Sequence, residues 1–276
     1  MRWMAELTAA HRERTWRHVP ALLIAVGCLA PFAFVLMGSL REPGPPPRTP
    51  QLLPWPLSFG NYRTAFDIAG LSDKIVNSLV VAAVTVPVGV LVASTAGFGI
   101  ARLTRRPRRI MVAVTVGAAM VPTTALIVGR FGLFQALGIT DSLLPLMAPA
   151  LLGESPFHVL FYLWAFRRIP AELFDAARLE SMSEFGVYRK VAMPLVRPIT
   201  LAVAVSSFVD LWGAYVEPLV YLSDPDLFTV PMGISMLASL DPSNQPLLLA
   251  GAVTAMAPVI GVFLVVQHRF LGTVRR

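Results

Sequence analysis

Long apolar runs constrain this chain more than any other feature of its sequence. Six of them are long enough to cross the hydrocarbon core of a bilayer, which needs about 20 residues at a rise of about 1.5 Å each. They cover residues 19–40, 76–100, 110–128, 143–166, 199–222 and 247–266. Of the 276 residues, 55% are hydrophobic and only 14% are charged, against about a quarter in a soluble domain. The sequence therefore predicts an all-α integral membrane protein with six transmembrane helices.

The first apolar run is predicted to be a retained transmembrane helix. A signal peptide has an apolar region of about 7–15 residues, and this run is longer. We therefore divide the chain into an N-terminal segment (1–18), a six-span transmembrane domain (19–270) and a short tail (271–276).

The basic residues predict how the spans are oriented. Four arginines precede the first run, five lie between the second and third, six basic residues lie in 167–198, and three follow the sixth run. Together these are 18 of the 23 Lys and Arg residues. The positive-inside rule therefore places both termini and residues 167–198 in the cytoplasm of a multi-pass plasma-membrane protein. This distribution also explains the net charge of +7 without a nucleic-acid partner.

Several shorter patterns lie within and between the runs. In the second run, small side chains recur every four residues, which predicts close packing of another helix, with a pore-lining role as the alternative. These residues are Thr85, Gly89, Ala93, Gly97 and Ala101. Pro122 predicts a kink in the third run. Residues 61–66 predict a short interfacial turn, and residues 227–240 are apolar enough for a short helix.

Residues 167–198 form a charged, amphipathic segment between the fourth and fifth runs. After Pro170, a favourable helix start, a short helix is predicted over 171–180. One face of this helix carries residues at spacings of three and four. They are Leu173, Ala176, Ala177 and Glu180.

A second helix is predicted to follow within the same segment. Ser183 is its expected N-cap, and Pro194 and Pro198 are expected to end it. Its apolar face consists of Phe185, Tyr188 and Val191. The spacing alone fits either a docking hairpin or an amphipathic loop that lies on lipid headgroups.

Residues 175–198, DAARLESMSEFGVYRKVAMPLVRP, resemble a loop of the inner-membrane permeases of binding-protein-dependent ABC importers. The resemblance is to the carbohydrate type, like the G subunit of the maltose transporter. Asp175-Ala176-Ala177 lie over the family's EAA, Glu180 over its aspartate, and Ser183 over its serine. Ser181 and Met182 replace the family's glycine and alanine. Because glycine is used where φ is positive, Ser181 puts the family's turn geometry in question.

The resemblance extends over nearly the whole chain. Matching segments include Asn77-Ser78-Leu79, Ala101-Arg102-Leu103, Met120-Val121-Pro122, Pro218-Leu219 and residues 267–270. In the fifth run, Gly213 and Ala214 stand where relatives often have asparagine and an acidic residue.

The resemblance implies a type I ABC importer permease fold that forms half of a pore. Its partners would be an ABC ATPase dimer, a second permease that is a different chain, and an extracytoplasmic substrate-binding protein. The chain has no GxxxxGK[ST] sequence, so ATP and Mg would bind to the partner ATPase, and this chain would be a non-catalytic subunit without a cofactor. The resemblance assigns the ATPase contact to Asp175, Ala176, Ala177, Arg178, Glu180 and Ser181.

Carboxylates inside the apolar runs are the candidates for a substrate path. A carboxylate in a membrane span is costly and usually faces a cavity or a partner. The candidates are Glu154, Asp210 and Glu217, with Trp212 and Tyr215 as groups on which a sugar ring could stack. For each, the alternative is a structural hydrogen bond or a position at a helix end.

Two other functions compete with the importer hypothesis. An ion-coupled secondary transporter would favour paired ionisable groups in the membrane and repeated halves with broken helices, and no clear repeat is present. A membrane enzyme would need a cluster of catalytic carboxylates or metal ligands. The single cysteine, Cys28, excludes an intramolecular disulfide, and the four scattered histidines do not have the spacing of metal ligands.

Overall fold

The computed structural model describes residues 2–46, 54–151 and 155–274, and these residues form helices and connecting loops with no strand. This confirms the prediction of an all-helical chain. The helices are α1 (Arg2–Ser39), α2 (Gly60–Ala69), α3 (Leu71–Arg102), α4 (Arg105–Ala119), α5 (Thr123–Ala136), α6 (Leu144–Leu151), α7 (Pro156–Phe166), α8 (Ala171–Leu179), α9 (Glu184–Val187), α10 (Met193–Leu195), α11 (Arg197–Gly213), α12 (Val216–Tyr221), α13 (Val230–Leu240) and α14 (Gln245–Val274).

Between four and six segments in the described part are long and apolar enough to cross a membrane. Four of them are Pro20–Ser39, Leu71–Arg102, Leu144–Phe166 and Gln245–Gln267. The count reaches six when each of two bent helix pairs is taken as one span. The pattern agrees with the predicted membrane fold, although two of the predicted spans are broken.

The third predicted span, 110–128, is not one continuous helix. The axes of α4 and α5 differ by 87°, and Pro122 is the N-cap residue of α5. Pro122 lacks a backbone N–H and restricts the residue before it, so the α4 geometry cannot continue through this point. The kink predicted at Pro122 is therefore a full break.

The fifth predicted span, 199–222, is also divided. α11 ends at Gly213, and α12 begins after its N-cap residue Tyr215 and ends at Tyr221. The predicted interfacial turn at 61–66 is the longer helix α2, and the helix predicted within 227–240 is α13.

The chain forms two compact units. One contains residues 1–69 and 236–254, and the other contains residues 70–235 and 255–276. In the first unit, the end of α1 is fixed by Asn61, whose Nδ2 donates to the carbonyl oxygens of Ser39 and Arg41 at 3.1 and 2.6 Å. These bonds satisfy carbonyl groups that a helix end otherwise leaves without a partner.

The second unit is built on α3, which packs most extensively against α7. Gly97 makes this close approach possible because a Cβ atom there would lie 2.7 Å from Cβ of Tyr162 and 2.9 Å from the backbone nitrogen of Leu163. An aromatic cluster continues this contact, with the rings of Phe98 and Phe166 5.4 Å apart and nearly perpendicular. The small-residue stripe therefore serves helix packing at its C-terminal end.

Asp141 joins the loop before α6 to the segment after α12. Its Oδ1 accepts hydrogen bonds from the backbone N–H groups of Asp224 and Ser223 at 2.9 and 2.8 Å. These two bonds lower the pKa of the Asp141 carboxyl below its ordinary value of 3.8. Because the folded pKa is lower than the unfolded one, the bonds stabilise the fold above the unfolded pKa. That contribution is lost as the pH falls through the folded value.

Candidate functional site

The polar segment 167–198 folds as a helical hairpin at the end of the second unit, and we refer to it as the hairpin. Its first helix, α8, begins after Pro170 and carries Glu172 in its first turn and Arg178 in its last, which complements the helix dipole. Arg178 Nη1 lies 3.3 Å from Asp175 Oδ1, with both side chains more than half exposed. An exposed pair of this kind contributes little to stability, so both side chains remain available to a partner.

Only part of the predicted docking face of α8 is exposed. Leu173 and Ala176 are exposed, as is Glu180 directly after the helix. Ala177, in contrast, is only 4% exposed and packs into the aromatic cluster with Phe98 and Tyr188. The burial of Ala177 removes its side chain from the surface that a partner could contact. The resemblance placed Ala177 in the ATPase contact, and its side chain lies on the buried side of α8.

Leu179 is an exposed apolar residue that the sequence analysis did not select. Its exposed fraction is 88%, and those of Leu173 and Phe185 are 42% and 66%. Apolar side chains at this exposure, on a segment that is otherwise charged, indicate a surface that a partner covers. The signal was present in the sequence, because Leu179 lies three residues after Ala176 on the same helix.

The turn after α8 has the hydrogen bonds of a Schellman motif. The N–H of Met182 donates to the carbonyl of Ala177 at 3.1 Å, and the N–H of Ser181 donates to the carbonyl of Arg178 at 2.9 Å. This motif requires a left-handed residue directly after the C-cap, where glycine is usual, and Ser181 has φ of +55°. The family's turn geometry, which Ser181 put in question, is therefore present in this chain. Ser181 adopts a backbone conformation that glycine adopts more easily.

We expect Ser181→Gly to raise the stability of the hairpin by about 1 kcal/mol, because glycine carries no Cβ penalty at positive φ. The midpoint of thermal unfolding of the purified protein in detergent would measure this. Ser181→Ala is the matched control, since it keeps the Cβ and should leave the midpoint nearly unchanged. A lower midpoint for Ser181→Gly would contradict the expected strain.

The second arm of the hairpin starts as predicted and ends differently. Ser183 Oγ accepts from the N–H of Gly186 at 3.1 Å, which confirms Ser183 as an N-cap. Pro194 does not end the second helix, because a π-helical turn over Tyr188–Ala192 precedes it and helix continues to Leu195. The wider spacing of a π turn accommodates a residue without an N–H. The chain then bends by 81° into α11.

A cavity of about 520 Å³ lies within the second unit. Its wall is formed by α3, the α4–α5 break, α5, α6, the start of α7, α11 and α12. The polar residues in the wall are Ser78, Thr85, Thr123, Arg130, Ser155, His158, Ser207, Asp210, Glu217, Tyr221 and Thr229. The volume is typical of sites for small organic ligands.

Two of the predicted path residues, Asp210 and Glu217, line this cavity. Two others do not. Trp212 is 5% exposed, and its indole N–H donates to the carbonyl of Ala255 at 2.9 Å, so it is a packing residue. Tyr215 bonds Ser235 through its hydroxyl at 3.1 Å and is absent from the wall. Glu154 lies outside the described residues.

Several cavity residues were missed in the sequence. His158 and Ser207 meet in the wall, with Nδ1 and Oγ 3.4 Å apart. The hydroxyls of Thr85 and Thr229 are buried and have no hydrogen-bond partner among the described residues. Thr85, Gly89 and Ala93 of the small-residue stripe also line the cavity, so that part of α3 faces open space as well as another helix. Ser207 lies three residues before Asp210, a helical spacing that could have identified it.

The cavity offers both donors and acceptors to a polar solute. Carboxylates accept hydrogen bonds, and hydroxyl groups both donate and accept. A hydroxyl-rich solute can match this mixture of donors and acceptors with its own hydroxyl groups.

Known proteins resemble this chain over most of its length. Residues 64–272 match the family described as "Binding-protein-dependent transport system inner membrane component". The arabinooligosaccharides transport system permease protein AraQ of Bacillus subtilis is 29% identical over 255 residues, which cover 91% of this chain and 90% of that protein.

Two solved structures share the fold. One is the crystal structure of a bacterial ABC transporter involved in the import of the acidic polysaccharide alginate. It has a TM-score of 0.76 at 18% identity and covers 94% of this chain and 98% of that chain. The other is a bacterial alginate ABC transporter in complex with an alginate pentasaccharide-bound periplasmic protein. It has a TM-score of 0.67 at 13% identity and covers 93% and 94%.

Proposed function

The chain belongs to the family of binding-protein-dependent transport system inner membrane components, and we propose that it forms half of the pore of an ATP-driven importer for a sugar or sugar-like solute. The observation that carries this proposal is the joining, in one compact unit, of an exposed helical hairpin to a helix that lines a polar cavity. A partner that binds the exposed hairpin can move it together with the helix that lines the cavity, and the cavity can hold the solute.

The partner at the hairpin is an ABC ATPase subunit, which binds ATP and Mg and works as a dimer. The surface of this chain that contacts the ATPase consists of Leu173, Asp175, Ala176, Arg178, Leu179, Glu180 and Ser181. This surface is exposed and mixes small, apolar and charged side chains. ATP-driven closure of the ATPase dimer would move α8, while this chain itself performs no catalysis and holds no cofactor.

The remaining partners are a second permease of different sequence and an extracytoplasmic binding protein that delivers the solute. The alginate transporter structure with its periplasmic protein supports the second of these partners. The distribution of basic residues supports a cytoplasmic hairpin and cytoplasmic termini in the inner membrane.

A sugar is favoured as the solute for two independent reasons. Relatives that cover most of this chain are named for oligosaccharide transport, such as the arabinooligosaccharide permease. The cavity wall also combines the carboxylate residues Asp210 and Glu217 with hydroxyl-bearing residues such as Thr123 and Ser207. Both features suit a polyhydroxylated solute more than an apolar one.

Purification of the complex tests this function. We expect the chain to copurify with an ABC ATPase, and uptake of labelled neutral oligosaccharides into proteoliposomes to require ATP, the ATPase and the binding protein. Uptake by this chain alone, driven by an ion gradient without ATP, would instead identify a secondary transporter. A binding protein that retains no sugar or polyol would refute the proposed solute class.

Among the residues of the cavity wall, Asp210 is the one whose substitution should change the KM for solute uptake most. Replacement by asparagine removes a charged acceptor, and a hydrogen bond to a charged group contributes about 1.5–3 kcal/mol. We expect Asp210→Asn to raise the KM for uptake by roughly 10–100-fold. The neighbouring change Val209→Ala, at an exposed residue outside the cavity wall, should leave KM unchanged. Equal values for Asp210→Asn and the unmodified protein would remove Asp210 from the path.

A further inference from the structure

The last residue of α3 touches both arms of the hairpin. Arg102 Nη2 lies 3.0 Å from Glu184 Oε1, and Glu184 is the first residue of α9. The guanidinium carbon of Arg102 is 5.0 Å from the centre of the Phe174 ring on α8 and 5.9 Å from that of Phe98 on α3 itself. One side chain therefore bridges the hairpin across its turn and connects it to α3.

The shape of the arginine side chain suits this bridge. A planar guanidinium can stack on aromatic faces and donate in its plane to a carboxylate at the same time, whereas the ammonium of lysine cannot do both. The Arg102 side chain is 22% exposed, and that of Glu184 is 65% exposed. An ion pair this open to water would contribute little by itself, so the aromatic contacts are needed to hold the geometry.

A second contact joins the same elements closer to the centre of α3. Ser94 Oγ and the Tyr188 hydroxyl are 2.7 Å apart in a buried hydrogen bond. The rings of Phe98 and Tyr188 lie 5.4 Å apart beside it. Two sets of contacts therefore hold the C-terminal third of α3 against the hairpin. Arg102 makes one set at the end of α3, and Ser94 and Phe98 make the other with Tyr188.

The same helix reaches the cavity through its earlier turns. α3 is one helix of 32 residues, and Ser78, Thr85 and Gly89 along it line the cavity. Pro87 lies inside α3 and removes one backbone N–H donor from the helix. Gly89 and Ala93 lie between Pro87 and Arg102 and line the cavity, so a displacement applied at Arg102 reaches them through an uninterrupted part of the helix.

We propose that Arg102 is a positioning residue for transport, which makes α3 and the cavity wall follow each movement of the hairpin. This inference rests on the proposed importer function. It predicts that disruption of the Arg102–Glu184 contact lowers the amount of solute moved for each ATP hydrolysed. A residue with a purely structural role would lower both rates together and leave their ratio unchanged.

The test is charge reversal in the complete complex in proteoliposomes. The measured quantity is the ratio of solute imported to ATP hydrolysed, together with the amount of ATPase that copurifies. We expect Arg102→Glu and Glu184→Arg each to lower the ratio by at least fivefold. The double variant should restore only part of it, because a carboxylate at position 102 cannot stack on the Phe174 ring. Arg102→Lys, which keeps the charge but cannot stack and donate in one plane, should give an intermediate ratio.

A matched control is the ion pair of Arg63 and Asp67, which are 3.5 Å apart on the exposed surface of α2. Arg63→Glu should leave the ratio unchanged. If the reversed variants fail to assemble, Glu184→Gln removes the charge with little change in shape and must still lower the ratio. An unchanged ratio in Arg102→Glu, or in Glu184→Gln when the reversed variants do not assemble, overturns the proposal. An unmodified complex without ATP-dependent uptake refutes the importer function instead.

Discussion

Replacement of Ala176 by tryptophan is expected to lower ATP-driven uptake strongly while the protein still folds and inserts into the membrane. Ala176 is exposed on α8, and its neighbour Ala177 faces the core, so a large side chain at 176 extends into solvent and leaves internal packing intact. A partner that fits closely against this surface would meet the new side chain. Overpacking of a close contact costs about 1–3 kcal/mol, which weakens association by roughly 5- to 150-fold.

Copurification of the ATPase and uptake in proteoliposomes measure this effect. Ala176→Ser, which adds a single oxygen, is the size control and should retain both. Normal uptake by Ala176→Trp would show that α8 does not contact the ATPase through this face. A protein that fails to reach the membrane would show that Ala176 has a role in folding that its exposure does not suggest.

Gly97→Ala is expected to destabilise the protein by about 1–3 kcal/mol, although alanine is the better helix former. The added Cβ would lie 2.9 Å from the Leu163 nitrogen and 2.9 Å from the Val159 oxygen. Both are backbone atoms of α7, which cannot rotate away as a flexible side chain could. α3 and α7 would have to separate, and the aromatic cluster around Phe98 and Phe166 would lose packing contacts between the two helices.

Gly99→Ala is the matched control for this effect. Gly99 lies two residues further along α3 and is exposed, and a Cβ atom added there would have no neighbouring atom within 4 Å outside its own helical backbone. We expect the midpoint of thermal unfolding to fall for Gly97→Ala and to stay the same or rise slightly for Gly99→Ala. Equal midpoints for the two variants would mean that α3 and α7 do not approach as closely as the structure shows.

Hydrophobicity and local hydrogen-bonding preferences were enough to predict much of the fold. The apolar runs indicated where helices lie, and Ser183 was identified as an N-cap, because both depend on neighbouring residues only. The breaks depend on more distant contacts. Pro122 signals a disturbance, but the 87° angle between α4 and α5 is set by the elements packed around them.

The candidate site could be predicted only in part for a related reason. Periodicity places Ala176 and Ala177 near the same face, but 100° of rotation separates neighbouring residues in a helix, and only the structure shows which of them is buried. Trp212 lies only two residues after Asp210, yet the aromatic ring packs into the core and the carboxylate residue lines the cavity. A spacing rule cannot assign such neighbours to different environments.

The break between α4 and α5 has a consequence for the medium inside the cavity. The ends of two helices carry amide and carbonyl groups that hydrocarbon cannot solvate, and Ala118, Ala119, Val121 and Thr123 at these ends all line the cavity. That wall must therefore be wet whenever no solute occupies it. In the proposed importer, a solute that enters this part of the cavity from water therefore meets water and backbone groups at the wall instead of hydrocarbon.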